Sequence, residues 1–104
     1  MGISEPASQQ AMKHSPVRMY ATRFCPYCLR ARALLTSKDI VWEEINVGMD
    51  ADLWQEMESL SGRDTVPQIF IGDLHVGGYD DMAALERAGK LDTLLFNHHT
   101  AEGA

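Results

Sequence analysis

Two cysteines separated by two residues, Cys25-Pro26-Tyr27-Cys28, stand where a short apolar run gives way to a helical pattern, and the chain has no others. Such a junction asks for a strand feeding a helix, with a sulfur at the helix's first turn. One pair makes no disulfide framework, so the motif reads as a redox dithiol or as half of a metal site. Zinc takes four ligands. No second pair exists, His98-His99 lies in a polar stretch, and His14 and His75 have no ligand spacing. The redox reading is the stronger one, with Cys25 attacking a disulfide and Cys28 finishing the reaction.

The rest of the pattern alternates strand and helix. Val17-Arg18-Met19-Tyr20 alternates after Pro16 and predicts a first strand, with residues 21–24 as the loop into Cys25. Pro26 falls in the first turn of a helix, where its missing N–H costs nothing. Cys28, Ala31 and Leu35 recur on one inner face, while Arg30, Arg32 and Lys38 are expected in solvent. Ile40 to Val47 is rich in β-branched residues and reads as a second strand, parallel to the first if the helix is the crossover. Asp50 or Asp52 caps a second helix carrying Leu53, Met57 and Leu60 inward, ended by Gly62. Val66–Ile71 and Leu74–Val76 form a hairpin over Gly72-Asp73, and Gly77-Gly78 permits a close backbone approach. Asp80 or Asp81 caps a third helix through Ala88, and a short helix from about Lys90 to Phe96 follows. This order predicts a single α/β domain over residues 17–96, a small mixed sheet with helices on both faces. Residues 1–16 and 97–104 are expected to be polar tails.

Composition narrows the function. The chain has 104 residues, 45% of them hydrophobic, enough for one modest core. Its formal charge of −6, from 15 acids against 9 Lys and Arg, excludes the basic footprint of a nucleic-acid binder. No apolar run approaches the roughly 20 residues of a membrane helix, and residues 1–10 lack a signal-peptide core. A cytoplasmic setting is expected, where CxxC is more often catalytic than structural.

The thiolate is the reactive form of a cysteine. Cys25 is placed at a helix N-terminus, where unpaired N–H groups and the dipole favour an anion. Cys28, one turn on and on the apolar face, is expected to be less exposed and more protonated, which suits a resolving thiol.

Cys25-Pro26-Tyr27-Cys28, Thr65-Val66-Pro67 and Gly77-Gly78-Tyr79-Asp80-Asp81, in this order and spacing, resemble a dithiol (CPYC-type, class I) glutaredoxin over roughly Val17 to Phe96. The resemblance implies an α/β, thioredoxin-like fold: a four-stranded mixed sheet of order 2-1-3-4, strands one and two parallel, three and four antiparallel. It implies a glutathione-dependent thiol–disulfide oxidoreductase with glutathione as co-substrate and no metal. Its implied partners are glutathionylated or disulfide-containing proteins such as ribonucleotide reductase, met as a monomer.

Site residues follow from the same resemblance. Pro67 is similar to a cis-proline facing the dithiol, although on sequence alone a trans proline at a strand start is equally allowed. The Val66 backbone would pair with the cysteinyl unit of glutathione. Gly78, Tyr79 and Asp80 would cradle the γ-glutamyl end at a helix N-terminus, with Tyr27 and Thr65 lining the groove. One position departs: the family's lysine three residues before the first cysteine is Thr22 here. Arg23 or Arg63 would have to meet the glycyl carboxylate in its place. Two other readings stay open at this point. An iron–sulfur carrier, with Cys25 from two chains and two glutathiones holding a cluster, is opposed by Pro26 and Cys28. An electron donor served by thioredoxin reductase is opposed by Tyr27, Thr65 and Asp80.

Overall fold

A computed structural model of the chain describes residues 14–96. Strand β1 (Val17–Ala21) leads through helix α1 (Pro26–Ser37) to β2 (Trp42–Asn46), then α2 (Ala51–Ser61). The hairpin β3 (Gln68–Ile71) and β4 (Leu74–Gly77) follows, then α3 (Tyr79–Arg87) and α4 (Leu91–Phe96). The sheet order is β2-β1-β3-β4, with β1 and β2 parallel and the other pairs antiparallel, as expected from the sequence.

The two-residue period of the central strands splits the core. Val17, Met19 and Ala21 of β1, with Ile69 and Ile71 of β3, meet Cys28, Ala31 and Leu35 of α1, Met82 of α3, and Leu91 and Leu95 of α4. The alternate residues Tyr20 and Phe70 turn to the other face, where Val47 and Met57 of α2 close a smaller cluster. Each fully buried Leu, Met or Ile contributes about 1.5–3 kcal/mol, so the face carrying α1, α3 and α4 holds most of the apolar stabilisation. Tyr20 still needs a partner for its hydroxyl, and donates to Glu56 Oε2 at 2.6 Å. Burial, with that bond, pushes its phenol up to about 12.

Helix boundaries follow their caps. Asp50 is the residue that caps α2, accepting from Asp52 N and Leu53 N at 3.0 and 3.1 Å, and Gly62 ends it at φ +72°. Leu60, expected inward, is half exposed. Helix α3 starts at Tyr79 with Gly78 as its cap residue, earlier than a cap at Asp80 or Asp81 would place it.

Three sequence expectations are corrected by long-range contacts. Arg32 is not free in solvent: it forks onto Glu44 of β2, and its Nη2 also donates to the Thr22 carbonyl at 3.0 Å. Lys38 bridges Glu86 Oε1 at 2.8 Å and Asp92 Oδ1 at 2.7 Å, tying α1 to α3 and α4. The third concerns the N-terminal tail. Residues 1–13 and the tail at 97–104 lie outside the described residues, but His14, Ser15 and Pro16 belong to the domain. His14 is buried and accepts from Val41 N at 3.2 Å. Ser15 N donates to the Leu95 carbonyl and Gly72 N to the Pro16 carbonyl. Among the described residues no helix is long and apolar enough to cross a membrane.

Candidate active site

Cys25 is the N-cap of α1, and Pro26 occupies the first turn where no N–H is needed. The Cys28 N–H points back at Cys25 Sγ, 3.3 Å away. A side-chain acceptor at this position satisfies one of the helix's orphan donors, and an anionic sulfur accepts that bond more strongly than a neutral one. Cys25 Sγ also lies 3.8 Å from the Val66 carbonyl, across the Val66-Pro67 bond, which is cis. Both cysteines are free thiols, Cys25 partly exposed and Cys28 fully buried. Burial is the main reason the Cys28 thiol is pushed up to about 11, and the hydrogen bond and charge of Cys25 add to it. The two sulfurs thus differ in exposure: one is partly exposed at the helix terminus, the other is fully buried one turn on.

Beside the dithiol an open groove of about 310 Å³ is lined by Tyr27, Arg63, Thr65, Val66, Pro67, Gly78, Tyr79, Asp80 and Asp81. Tyr27, Thr65, Val66, Pro67, Gly78, Tyr79 and Asp80, all singled out from sequence, are brought together there. Arg23 is not. It is exposed, and its guanidinium stacks 5.4 Å from the centre of the equally exposed Phe24 ring. Arg63, the other cation considered, lines the groove and pairs with Asp81 at 2.9 Å.

The two aspartates at the head of α3 divide their work. Asp81 Oδ2 accepts from Gly78 N at 2.9 Å, so Asp81, in the first turn, reaches back to the cap residue and the Gly78 N–H is already engaged. Arg63, then the Gly78 N–H, hold the Asp81 carboxyl below its usual range. Asp80 makes none of these contacts and is exposed on the groove. Gly77 has φ +118°, and a Cβ there would come within 2.8 Å of the Asp81 carboxyl carbon. Glycine is required at this place for both reasons.

Sequence reasoning missed the polar support beneath Thr65-Val66-Pro67. Gln68 is fully buried and donates from Nε2 to the Thr65 carbonyl at 3.0 Å and to Thr65 Oγ1 at 3.2 Å. Its Oε1 accepts from His75 Nε2 at 2.7 Å. Burial, then the positive charge of Arg63, holds the His75 imidazole below its usual value. A buried primary amide must find partners for both ends, and here they fix the loop that forms one wall of the groove. A glutamine amid the apolar run Val66–Ile71 was the available signal. Among the described residues no three His, Cys, Asp or Glu side chains are grouped to hold a metal ion.

Comparison with known proteins agrees with this geometry. The family pattern described as glutaredoxin matches residues 17–76, which include both cysteines and the Thr65-Val66-Pro67 turn. A glutaredoxin from Pseudomonas aeruginosa is 52% identical over 80 residues, 77% of this chain and 95% of that protein. The solution structure of glutaredoxin from Brucella melitensis superposes with a TM-score of 0.72 at 50% identity, covering 81% of this chain and 91% of that one. A buckwheat glutaredoxin crystallised in complex with glutathione has the same TM-score of 0.72 at 27% identity, covering 90% and 88% of the two chains. The dithiol at a helix start and the sheet order expected from it are therefore those of a thioredoxin-like domain, and the chain belongs to the glutaredoxin family of glutathione-dependent thiol–disulfide oxidoreductases.

Proposed function

We propose that Cys25 is the attacking sulfur and that the groove beside it holds the glutathione portion of the substrate. The observation that carries this reading is the approach of Cys25 Sγ to the Val66 carbonyl, 3.8 Å away on the groove wall. A cysteinyl unit lying along Val66 as a short added strand brings its sulfur to Cys25. The free N–H groups at the start of α3 suit the γ-glutamyl carboxylate, and the exposed Asp80 carboxylate suits the adjacent amine. Arg63 takes the glycyl carboxylate, the part played in relatives by the lysine absent at Thr22. Arg23, stacked on Phe24, is left outside.

The Cys25 thiolate attacks the glutathione sulfur of a protein–glutathione disulfide. A Cys25–glutathione disulfide forms, and the electron pair of the broken bond leaves on the protein sulfur, which takes a proton from solvent. A second glutathione thiolate attacks the bound glutathione sulfur, releasing oxidised glutathione and the Cys25 thiolate. With a protein disulfide as substrate, Cys28 loses its proton and attacks Cys25, forming Cys25–Cys28 and expelling the second substrate sulfur. Two glutathiones then restore the dithiol. Disulfide-bearing and glutathionylated proteins of a reducing cytoplasm are the partners, met by a monomer without a resident metal.

The test compares two variants. Cys28→Ser is expected to keep deglutathionylation and lose protein-disulfide reduction, and Cys25→Ser to lose both. Sustained turnover by Cys25→Ser overturns the assignment. Reduction of the Cys25–Cys28 disulfide by thioredoxin reductase but not by glutathione overturns the place given to glutathione.

A further inference from the structure

The residues that bracket Cys25 in the chain carry a surface that the glutathione groove does not use. Of the seven large apolar side chains exposed among the described residues, three, Phe24, Tyr27 and Leu29, lie within four positions of Cys25. Scattered singly they would need no explanation; gathered next to the reacting sulfur they mark a contact surface. Tyr27 lines the groove. Phe24 does not, and it stands 82% exposed directly before the cysteine that caps α1. Each of these aromatics carries a cation: Arg23 lies 5.4 Å from the centre of the Phe24 ring, and Arg30 lies 5.3 Å from that of Tyr27. Arg18 stacks likewise, but over the buried rings of Tyr20 and Phe70. Arg23 and Arg30 are exposed and, among the described residues, neither bridges a carboxylate, whereas Arg32, Lys38 and Arg63 all do. A chain with 15 acids against 9 Lys and Arg thus keeps one such cation on each side of Cys25 in its sequence.

We infer that Arg23 on Phe24, and Arg30 on Tyr27, form the docking surface for the peptide chain of the substrate, and that this surface favours Asp or Glu flanking the modified cysteine. The inference rests on the reading of Cys25 as the attacking sulfur. In that step the bond from Cys25 Sγ to the glutathione sulfur forms as the glutathione–peptide S–S bond breaks. The electron pair leaves on the peptide sulfur, which takes a proton from solvent. With glutathione in the groove, the departing chain must pass residues next to Cys25. Three extended residues span about 10 Å, enough to bring a flanking carboxylate to either arginine. At physiological salt a charge acts over about 8 Å, so these two cations, rather than the net charge of −6, set what the flanks meet. The guanidinium offers a carboxylate a planar fork, and the ring beneath holds that fork in place. Phe24 and Leu29 give an apolar footing common to every peptide; the arginines supply the choice.

The test uses the full-length protein and peptides glutathionylated at a single cysteine, flanked on both sides by Asp-Glu or by Lys-Lys. Acidic flanks also make the departing thiol a poorer leaving group. The deciding quantity is therefore the acidic-to-basic ratio of kcat/KM, compared between parent and variant so that the peptides' own chemistry cancels. That ratio is expected to fall about threefold in Arg23→Gln and in Arg30→Gln, and about tenfold in the double variant, the range of exposed ion pairs. In about 0.5 M salt the parent should approach the double variant. Arg30→Glu should take the ratio below that of Arg30→Gln, a change that mere loss of folding does not produce. The mixed disulfide of free cysteine and glutathione has no flanks, and the double variant should turn it over at the parent rate. A ratio unmoved in the double variant overturns the inference. So does an equal loss on the small disulfide, which would put the arginines in the glutathione groove. Failure of the underlying reading shows separately, as turnover of these peptides by Cys25→Ser.

Discussion

Replacing Gly77 by alanine tests the construction of the groove wall at the head of α3. Two independent effects oppose the added methyl. The backbone sits at φ +118°, where a non-glycine residue costs about 1–3 kcal/mol. The new Cβ would also lie 2.8 Å from the Asp81 carboxyl carbon, so the carboxylate must leave. Its departure forfeits the cap on Gly78 N, worth about 0.5–2 kcal/mol, and the exposed Arg63 pair, worth less than about 1 kcal/mol. The expected destabilisation is about 2–5 kcal/mol against a total of about 5–15. Gly72→Ala is the control, since Gly72 also has positive φ (+59°) but nothing lies within 4 Å of its would-be Cβ. Urea denaturation of the reduced proteins measures both, and the KM for a glutathionylated peptide should rise for Gly77→Ala alone. Equal destabilisation by the two substitutions would refute the reasoning. So would full additivity of Asp81→Asn on the Gly77→Ala background, because residues sharing a contact do not add.

The two aspartates beside it should separate cleanly. Asp81→Asn is expected to lower stability by about 1 kcal/mol through the cap. Asp80→Asn should leave stability within about 0.5 kcal/mol and instead raise the KM for the glutathione substrate; denaturation and kinetics on both variants check the pattern, and its reversal would show the roles exchanged. Alkaline stability reports on Cys28. Its ionisation is suppressed by burial in the folded protein, so its contribution is complete below the unfolded thiol value near 8.5 and is lost as pH rises through about 11. The reduced protein should therefore lose stability across that window and Cys28→Ser should not. Tyr20, pushed up to about 12, adds a loss of the same sign at still higher pH.

What the sequence made legible was local. The alternation of β1, the period of Cys28, Ala31 and Leu35, and the turn residues of the hairpin each follow from neighbours a few positions away, and each was read correctly. Sheet order and the gathering of Tyr27, Thr65, Pro67 and Asp80 came through motif resemblance, because no local rule joins residues forty or fifty positions apart. The misplacements share one cause. Arg32 and Lys38 looked solvated because their partners Glu44, Glu86 and Asp92 stand on other elements. His14 looked like tail because what it meets, the Val41 amide and the Phe96 ring, arrives only when β2 and α4 are in place. Asp80 and Asp81 are equally good caps on paper. The helix starts at Tyr79, so it is Asp81, not Asp80, that reaches back to the Gly78 N–H.

The unequal division of the core has a consequence for motion. Within α2 only Met57 is fully buried, whereas α1, α3 and α4 share the larger cluster with the dithiol. Segments with few buried apolar contacts open locally at a fraction of the global unfolding free energy. Helix α2 ends at Gly62, and the next residue is Arg63, whose tie to the rest of the groove is its pair with Asp81. Arg63, which lines the groove, therefore follows a helix with a single fully buried side chain. Cys25 and Cys28 sit with the larger cluster, so a local opening of α2 is expected to move Arg63 while the thiols stay in register.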